Sequence, residues 1–328
     1  MTAHGVVFPG CDTATAPLGV GTWAWGDRAT WGMGGYDATL TETSIAEAWE
    51  ASLEAGVTLF DTAEVYGRGE SERIIGRLLA RDPPRRGSIV IATKFMPSPW
   101  KVDVRRAVRA AIEGSIERLG VDHVDLYQIH GPISLRSHGA LADALAAVHD
   151  AGLTRAVGVS NYSIKETESI HRELAARGVP LAANQVEYSL LRRHPETSGL
   201  LATCERLGVA LLAYSPVGQG RLTGKYSVTN PPRGRRTFSA HPMEVVDPVV
   251  AELRRVGDDN GGRTPGQVAL RWLVEKGAVP IPGAKNAKQA RENAGALGWS
   301  LSADDLAALD RVALDGRTTL QSRFWQHG

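Results

Sequence analysis

The chain has 328 residues, 43% of them hydrophobic, and its formal net charge of +1 excludes a global field that would recruit nucleic acid or an anionic membrane. The two cysteines, Cys11 and Cys204, lie far apart, so we expect no disulfide framework and a reducing, cytoplasmic location. No secretory signal opens the sequence, and no run approaches the ~20 apolar residues of a membrane span. We expect a single domain over residues 1–328, since one barrel often has this length.

Short apolar runs alternate with amphipathic stretches along the whole chain. A β-hairpin pattern over residues 6–22 leads into a first strand from about Pro17 to Gly21. The other predicted strands cover 58–60, 88–93, 124–129, 156–159, 182–185, 209–213 and 279–281. The predicted helices cover 43–55, 70–80, 103–119, 138–151, 164–177, 196–207, 244–259, 265–276 and 286–296.

This pattern predicts an α/β fold. Short strands that are buried on both faces and separated by helices are typical of a parallel sheet. Eight of them favour a closed (β/α)8 TIM barrel over an open doubly wound sheet. The open dinucleotide-binding sheet also requires a Gly-x-Gly-x-x-Gly turn, and Gly19-Val-Gly21 lacks the third glycine and is followed by tryptophan, not by a helix. We therefore predict a TIM barrel with an N-terminal β-hairpin and a long loop after strand 7.

The carboxyl ends of the predicted strands, where barrels of this kind place their active sites, are polar. Asp61, Lys94 and His130 stand at three of these ends, and Tyr66 follows Asp61 by five residues. A phenol with a pKa near ~10 donates poorly unless its phenolate is stabilised, as the Lys94 ammonium would do while Asp61 holds it in place. His130 would polarise a carbonyl oxygen or help to relay the proton. These four residues, called the tetrad below, predict proton delivery to an oxygen that becomes an alkoxide.

Seven sequence motifs, which include the tetrad residues, follow one another between about residues 16 and 310. They are Leu-Phe-Asp-Thr-Ala-Glu-Val-Tyr-Gly (59–67), Ala-Thr-Lys (92–94), Asp-Leu-Tyr-Gln-Ile-His (125–130), Gly-Val-Ser-Asn-Tyr (158–162), Asn-Gln-Val-Glu-Tyr-Ser (184–189), Ala-Tyr-Ser-Pro-Val-Gly-Gln-Gly-Arg-Leu-Thr-Gly-Lys-Tyr (213–226) and Ile-Pro-Gly-Ala-Lys-Asn (281–286). In this order they resemble the aldo-keto reductase superfamily. The likeness is greatest to the bacterial and plant branch with a long loop after strand seven, which is related to the potassium-channel β subunits.

The resemblance implies reduction of an aldehyde or ketone to an alcohol by a nicotinamide cofactor. It assigns the general acid to Tyr66, supported by the rest of the tetrad. The nicotinamide ring would stack on Tyr214, and its carboxamide would be held by Ser160, Asn161 and Gln185, because an amide needs both donors and acceptors. The cofactor carries the hydride chemistry, and the protein supplies orientation and electrostatics.

The same resemblance implies contacts to the rest of the cofactor. The loop after strand seven would fold over the pyrophosphate, with an ordinary surface turn as the alternative. Its implied contacts are Ser215, Pro216, Val217, Gly218, Gly220 and Lys225, where glycine permits close approach and lysine adds charge. The implied contacts near the last strand, which include the adenosine contacts, are Gly283, Lys285, Gln289, Glu292 and Asn293.

The choice between NADP(H) and NAD(H) depends on a partner for the 2′-phosphate. Many family members carry Lys-Ser after Ile-Pro and a later arginine, whereas this chain has Gly283 and Gln289 at the equivalent places. Lys285 lies one residue further along. Arg235 and Arg236 lie where the long-loop branch places an arginine that binds the phosphate, and a solvated basic loop is the alternative. We predict NADP(H).

Aromatic residues are the candidates for the substrate pocket. Trp23, Trp25 and Trp31 follow one another in a glycine-rich segment that we expect to be a loop, and they either line the pocket or cap the barrel. Trp100 after strand three and the aromatic pair 324–325 are further candidates. The sequence leaves open which carbonyl compound is the substrate, which direction the reaction takes and whether the chain forms an oligomer.

Two other functions fit parts of the pattern. A metal hydrolase needs a ligand set, and the nine histidines form neither His-x-His nor His-Glu-x-x-His, so no metal is expected. A barrel that binds NADPH but reacts slowly, as a sensor or partner-binding subunit, is the second alternative. The complete tetrad favours an enzyme with a small carbonyl substrate and with neither nucleic acid nor membrane as a partner.

Overall fold

The strands of the computed structural model form a single parallel sheet. The structure describes residues 5–26, 40–232, 241–316 and 323–328. Its strands are β1 (Gly19–Gly21), β2 (Leu59–Asp61), β3 (Val90–Phe95), β4 (Val124–Ile129), β5 (Thr154–Ser160), β6 (Leu181–Glu187), β7 (Ala210–Tyr214) and β8 (Val279–Pro280). Within the described residues these eight strands pair in chain order from β1 to β8. The predicted number, order and direction of the strands are confirmed.

Backbone contacts between β1 and the residues after β8 close the sheet. The Gly21 amide donates to the Pro282 carbonyl at 3.0 Å, and Gly21 forms a parallel bridge with Gly283. A Cβ atom at Gly21 would lie 2.8 Å from the Ile281 carbonyl oxygen, so this approach of two backbones requires glycine. The fold is therefore the predicted (β/α)8 TIM barrel.

Helices surround the sheet, and their ends follow local sequence signals. Asp103 accepts a hydrogen bond from the Arg106 amide at the start of α4, and Gly120, with φ of 64°, ends that helix. Ser163 and Glu166 form a capping box at the start of α6. The helices are α1 (Trp23–Gly26), α2 (Glu42–Glu54), α3 (Glu70–Leu79), α4 (Val104–Leu119), α5 (His138–Asp150), α6 (Ile164–Ala175), α7 (His194–Thr197), α8 (Leu200–Leu207), α9 (Met243–Asp259), α10 (Pro265–Glu275), α11 (Ala287–Ala294) and α12 (Ala303–Val312).

Alternation along the strands divides the core into two layers. In β3, Val90 and Ala92 belong to the cluster inside the barrel, whereas Ile91 and Phe95 pack in the larger layer between the sheet and the helices. Successive side chains of a strand point to opposite faces, so Lys94 continues the inward series. The barrel interior is thus apolar in its lower part and polar where the strands end.

The N-terminal hairpin covers the amino end of the barrel. Val6 and Thr15 form an antiparallel bridge, and the fully buried Phe8 packs in the cluster inside the barrel. The Cys11 thiol donates to the Asp125 carbonyl near the start of β4 at 3.4 Å. Apolar packing therefore seals the end opposite to the polar strand ends.

Three local predictions were wrong. The segment after β1 was expected to be a loop, but its first turn is α1, in which the Trp25 amide donates to the Thr22 carbonyl at 2.9 Å. The helix predicted over 196–207 is divided into α7 and α8, because Gly199 has a left-handed φ of 87°. Helix α12 was not predicted at all. No helix among the described residues is both long and apolar enough to cross a membrane.

Candidate active site

Polar side chains occupy the inward-facing positions at the carboxyl ends of six neighbouring strands. Each of them stands two residues after a small or apolar residue that faces the barrel interior. They are Asp61 in β2, Lys94 in β3, Gln128 in β4, Ser160 in β5, Gln185 in β6 and Tyr214 in β7. Because neighbouring strands end at the same rim, the barrel brings these side chains together.

The tetrad is assembled around Lys94. Its Nζ atom donates to Oδ2 of Asp61 at 2.6 Å, to the Thr62 carbonyl at 2.8 Å and to the Tyr66 hydroxyl at 3.4 Å. The rings of Tyr66 and His130 meet edge to face with their centroids 5.7 Å apart. All four predicted residues therefore lie in one cluster, although 69 positions separate Asp61 from His130 in the numbering.

Burial holds the Tyr66 phenol in its protonated form. The pKa of Tyr66 is raised well above its usual value, first by desolvation and then by the charge of Asp61. The sequence predicts that Lys94 lowers this pKa, whereas in the structure desolvation and the Asp61 charge together raise it. The pKa of Lys94 is lowered, chiefly by desolvation, which Asp61 opposes. Tyr66 therefore keeps its proton at neutral pH.

His130 is held as a neutral ring. Its pKa is lowered well below the usual value by desolvation and then by the charge of Lys94. A neutral imidazole carries one donor and one acceptor nitrogen. Nδ1 is buried and has no hydrogen-bond partner among the described residues. The ring can therefore give one neutral hydrogen bond to an oxygen placed beside Tyr66.

A second group of hydrogen bonds lies beside the tetrad. Ser160 donates to the Gln185 carbonyl at 2.8 Å, and Asn161 Nδ2 donates to the Ser160 hydroxyl at 3.2 Å. The Tyr214 hydroxyl donates to Asn161 Oδ1 at 3.0 Å. Gln185 Nε2 in turn donates to Asp61 Oδ1 at 2.8 Å, so this group and the tetrad share one carboxylate. The four residues predicted to hold the nicotinamide thus lie together.

The backbone after β7 turns through several left-handed residues. Ser215, Gly218, Gln219 and Gly220 have φ between 50° and 89°. A Cβ atom at Gly220 would lie 3.1 Å from Lys225 Nζ, so the lysine ammonium stands directly against this turn. Successive amides in such a turn form a concave surface that suits anions. Pro216 and Val217 lie within the turn, as predicted, and Arg235 and Arg236 lie outside the described residues.

The residues predicted to contact adenosine lie in α11, and two of them contact the turn before it. Gln289 Oε1 accepts from the Lys285 amide at 2.9 Å, and Asn293 Nδ2 donates to the Gly283 carbonyl at 3.2 Å. Glu292 Oε1 accepts from the Thr264 hydroxyl at 3.4 Å. Gln289 and Asn293 therefore hold the turn between β8 and α11, next to the closure of the barrel, whereas Glu292 contacts the residue that caps α10.

The tryptophans that are candidates for the substrate pocket lie in different environments. Trp25 is 2% exposed, and its indole donates to the Ala284 carbonyl at 2.8 Å, so it belongs to the core. Trp100 is 77% exposed, because the turn after β3 directs it into solvent. Trp23 lies half-buried in α1, and Trp31 lies outside the described residues.

Two residues at the site were not singled out from the sequence. Gln128 Nε2 points to Asp61 Oδ1 at 3.4 Å, and the alternation along β4, two residues before His130, could have indicated it. Gln326 is 8% exposed and donates to the Tyr214 hydroxyl at 3.0 Å. No local pattern signals Gln326, since the contact joins residues 112 positions apart.

In the part of the chain that the structure describes, no group of three His, Cys, Asp or Glu side chains could hold a metal ion. The protein is a TIM barrel whose half-buried Tyr66 lies against the buried Lys94 and Asp61 at the carboxyl ends of the strands, and barrel enzymes place their active sites at that rim. The chain belongs to the Aldo/keto reductase family, whose family model matches residues 17–314.

Individual relatives agree with this assignment. The chain is 36% identical over 326 residues to the chloroplastic pyridoxal reductase of Arabidopsis thaliana, covering 95% of this chain and 87% of that protein. It is similar in structure to a glycerol dehydrogenase from Gluconobacter oxydans, with a TM-score of 0.79 and 29% identity over 98% of this chain and 99% of that one. An aldo-keto reductase from Klebsiella pneumoniae solved in complex with NADPH gives a TM-score of 0.75 and 25% identity, covering 97% of this chain and 98% of that one. The chain is therefore an oxidoreductase of this family.

Proposed function

We propose that the chain reduces an aldehyde or ketone to an alcohol with NADP(H), and that Tyr66 donates the proton. One observation carries this proposal: Lys94 Nζ lies between Asp61 and the Tyr66 hydroxyl, 2.6 Å from the carboxylate oxygen and 3.4 Å from the phenol. A phenol that keeps its proton beside a fixed ammonium suits an oxygen that gains negative charge during reduction.

The tetrad would share the work of proton delivery. Tyr66 gives its proton to the carbonyl oxygen, and the ammonium of Lys94 stabilises the phenolate that remains. Asp61 keeps Lys94 charged and oriented, while Gln185 and Gln128 direct amide hydrogens at the other carboxylate oxygen. Neutral His130 donates a hydrogen bond to the same substrate oxygen without adding a charge that would repel Lys94.

Residues beside the tetrad fit a nicotinamide nucleotide. Ser160, Asn161 and Gln185 combine amide and hydroxyl groups at one point, as a carboxamide requires, and Tyr214 offers a ring beside them. The left-handed turn from Ser215 to Gly220, with Lys225 against it, suits a pyrophosphate. The bound cofactor would supply the hydride. The Klebsiella pneumoniae relative solved with NADPH supports this choice of cofactor.

The preference for NADP(H) over NAD(H) depends on cations for the 2′-phosphate. Lys285, Arg235 and Arg236 stay our candidates, and the two arginines are proposed from sequence. Fluorescence titration should show tighter binding of NADPH than of NADH, and Lys285→Met should narrow that difference. Equal affinities for the two cofactors in the unmodified protein would contradict the assignment of these cations.

The substrate class is a small aldehyde or ketone. One relative is named a pyridoxal reductase and one structural relative a glycerol dehydrogenase, so we propose pyridoxal and short hydroxyaldehydes as first substrates to assay. Trp325, which packs against His130 with ring centroids 5.5 Å apart, would form one wall beside the reacting oxygen. A flat wall at this position suits an aromatic aldehyde.

The decisive experiment compares the unmodified protein with Tyr66→Phe. Loss of the phenolic proton should lower kcat for NADPH-dependent carbonyl reduction by about 10²–10⁴-fold, while the Kd for NADPH stays the same. Equal kcat values would remove Tyr66 from the proton transfer. A protein that binds NADPH tightly but is inert towards every aldehyde would instead support the alternative, a slow sensor or partner-binding subunit. No feature of the described site favours that alternative.

A further inference from the structure

Residues 323–328 lie across the predicted nicotinamide side of the site. Trp325 packs against the edge of His130, and a Cβ atom at Gly131 would lie 2.8 Å from the Trp325 ring. The next residue, Gln326, is 8% exposed, whereas Phe324 is 67% exposed. The segment therefore presents Trp325 and Gln326 to the barrel mouth and turns Phe324 away from it.

The Gln326 amide stands between two groups on neighbouring strands. Its Nε2 atom donates to the Tyr214 hydroxyl at 3.0 Å and to the carboxylate of Glu187. Glu187 ends β6 and is 2% exposed, so its charge is buried. The Tyr214 hydroxyl donates its own hydrogen bond to Asn161 Oδ1 at 3.0 Å. A second contact from the same segment reaches Asn161, whose carbonyl accepts from the His327 amide at 3.1 Å.

This arrangement decides where the single proton of Tyr214 points. A phenol has one proton, and a carboxylate accepts a hydrogen bond more strongly than an amide oxygen does. One amide hydrogen of Gln326 is donated to Glu187, and the other is donated to the phenol oxygen of Tyr214, which acts as the acceptor. The Tyr214 proton therefore goes to Asn161, which leaves the Asn161 amide oriented with its Nδ2 towards Ser160.

We propose that Gln326 is a positioning residue, which acts through Tyr214 to orient the Asn161 amide for the nicotinamide carboxamide. The inference rests on the proposed placement of the cofactor against Tyr214 and Asn161. Without the amide hydrogens of Gln326, the Tyr214 hydroxyl turns towards Glu187 and the Asn161 amide loses its fixed orientation. Cofactor binding then weakens although no atom that touches the cofactor has been removed.

Other charged groups lie near the contact between Gln326 and Glu187, and they also hold the segment 323–328 in place. Arg192 Nε lies 3.9 Å from Glu187, and Arg192 Nη2 donates to the Gly328 carbonyl at 3.2 Å. His327 Nδ1 lies 2.9 Å from Glu166 Oε1 at the start of α6. Because the backbone of the segment is also held by these contacts, replacing the Gln326 side chain need not release the segment.

The first test replaces the amide by an apolar side chain of similar volume. Gln326→Leu should raise the Kd for NADPH, measured by quenching of tryptophan fluorescence, by about tenfold, which is the loss of one well-placed hydrogen bond. In a Tyr214→Phe background the same substitution should have no further effect, because the hydroxyl on which Gln326 acts is absent. Arg323→Gln, an exposed change in the same segment, is the matched control and should leave the Kd unchanged. Additive effects of Gln326→Leu and Tyr214→Phe would overturn the proposal.

The second test uses pH and does not depend on the stability of the leucine variant. Gln326→Glu places a second carboxyl beside Glu187, and such a pair holds a shared proton to higher pH than a lone carboxyl does. When that proton is bound, the new carboxyl has one O–H group, which donates to Glu187 or to Tyr214 and so restores one of the two hydrogen bonds that the Gln326 amide gives. The Kd for NADPH of this variant, relative to the unmodified protein, should therefore improve as pH falls from 8 to 6. A ratio that is independent of pH would overturn the positioning role.

The outcomes separate this inference from the proposed function. If the unmodified protein binds NADPH and Tyr66→Phe abolishes reduction, but Gln326→Leu binds NADPH like the unmodified protein, the positioning role fails and the enzyme assignment stands. If the unmodified protein does not bind NADPH, the proposed function itself fails.

Discussion

The ammonium of Lys94 and the carboxylate of Asp61 form an ion pair at 2.6 Å in which neither side chain is more than 3% exposed. Two charges buried this far from water are stable only together, since each alone would retain its full desolvation cost. The pair is also joined to both halves of the site, because Lys94 reaches Tyr66 and Asp61 accepts from Gln185. Stability and the proposed proton transfer therefore involve the same contact.

Breaking this pair from one side should destabilise the protein more than removing it altogether. Lys94→Met leaves a buried carboxylate without its cation and should lower the free energy of unfolding by about 3–5 kcal/mol. Lys94→Met combined with Asp61→Asn removes both charges and should recover part of that loss. Urea denaturation followed by circular dichroism measures both values. A double variant less stable than Lys94→Met alone would contradict the pairing argument.

The depressed pKa of His130 predicts a loss of stability in mild acid. In the folded chain this pKa lies below the unfolded value of about 6.5, so between the two values the unfolded chain binds a proton that the folded chain does not. Stability contributed by neutral His130 is therefore complete above pH 6.5 and is lost as pH falls below it, by at most about 1.4 kcal/mol per pH unit.

His130→Gln should remove this part of the pH dependence. Unfolding free energies measured from pH 7.5 to 5.5 should fall more steeply for the unmodified protein than for the variant. His123, His138 and His194 also have lowered pKa values, and they are present in both proteins, so the difference isolates His130. Parallel curves for the two proteins would show that His130 takes up its proton without cost in the folded state.

Asn161 combines a left-handed backbone with two side-chain hydrogen bonds, and two substitutions separate these properties. Its φ is 62°, which glycine adopts freely and alanine does not. Asn161→Gly and Asn161→Ala should both weaken NADPH binding by about tenfold, because both lose the amide. Asn161→Ala should in addition be less stable than Asn161→Gly by about 1 kcal/mol. Thermal unfolding and cofactor titration give the two readouts, and equal stability would contradict the backbone argument.

Two glycines that pair across the barrel closure should differ in their tolerance of a methyl group. A Cβ atom at Gly21 would lie 2.8 Å from the Ile281 carbonyl oxygen, whereas at Gly283 the nearest atom is the Gly21 carbonyl oxygen at 3.6 Å. Gly21→Ala should therefore destabilise the barrel by about 1–3 kcal/mol, and Gly283→Ala by less than about 1 kcal/mol. Urea denaturation of the two variants is the measurement. If Gly283→Ala proved the more harmful change, the described closure would be wrong.

The sequence by itself determined the barrel and the tetrad. Strand order, most helix positions and the clustering of Asp61, Lys94 and His130 follow from local patterns, because inward alternation along parallel strands brings residues at their carboxyl ends to one rim. The same rule could have indicated Gln128. It could not place Tyr66 against Lys94 in detail, but the short distance along the chain from Asp61 already limited where its loop could reach.

Only the tertiary structure decided which aromatic side chains reach the site and how the charges act. Trp25 is in the core because Ala284 offers it a carbonyl, and Trp100 is in solvent because its loop turns outwards. The pKa of Tyr66 is raised by desolvation and then by the charge of Asp61. Gln326 joins the site from 112 positions beyond Tyr214. Contacts and desolvation between segments this distant depend on packing in three dimensions, and no periodicity within either segment encodes them.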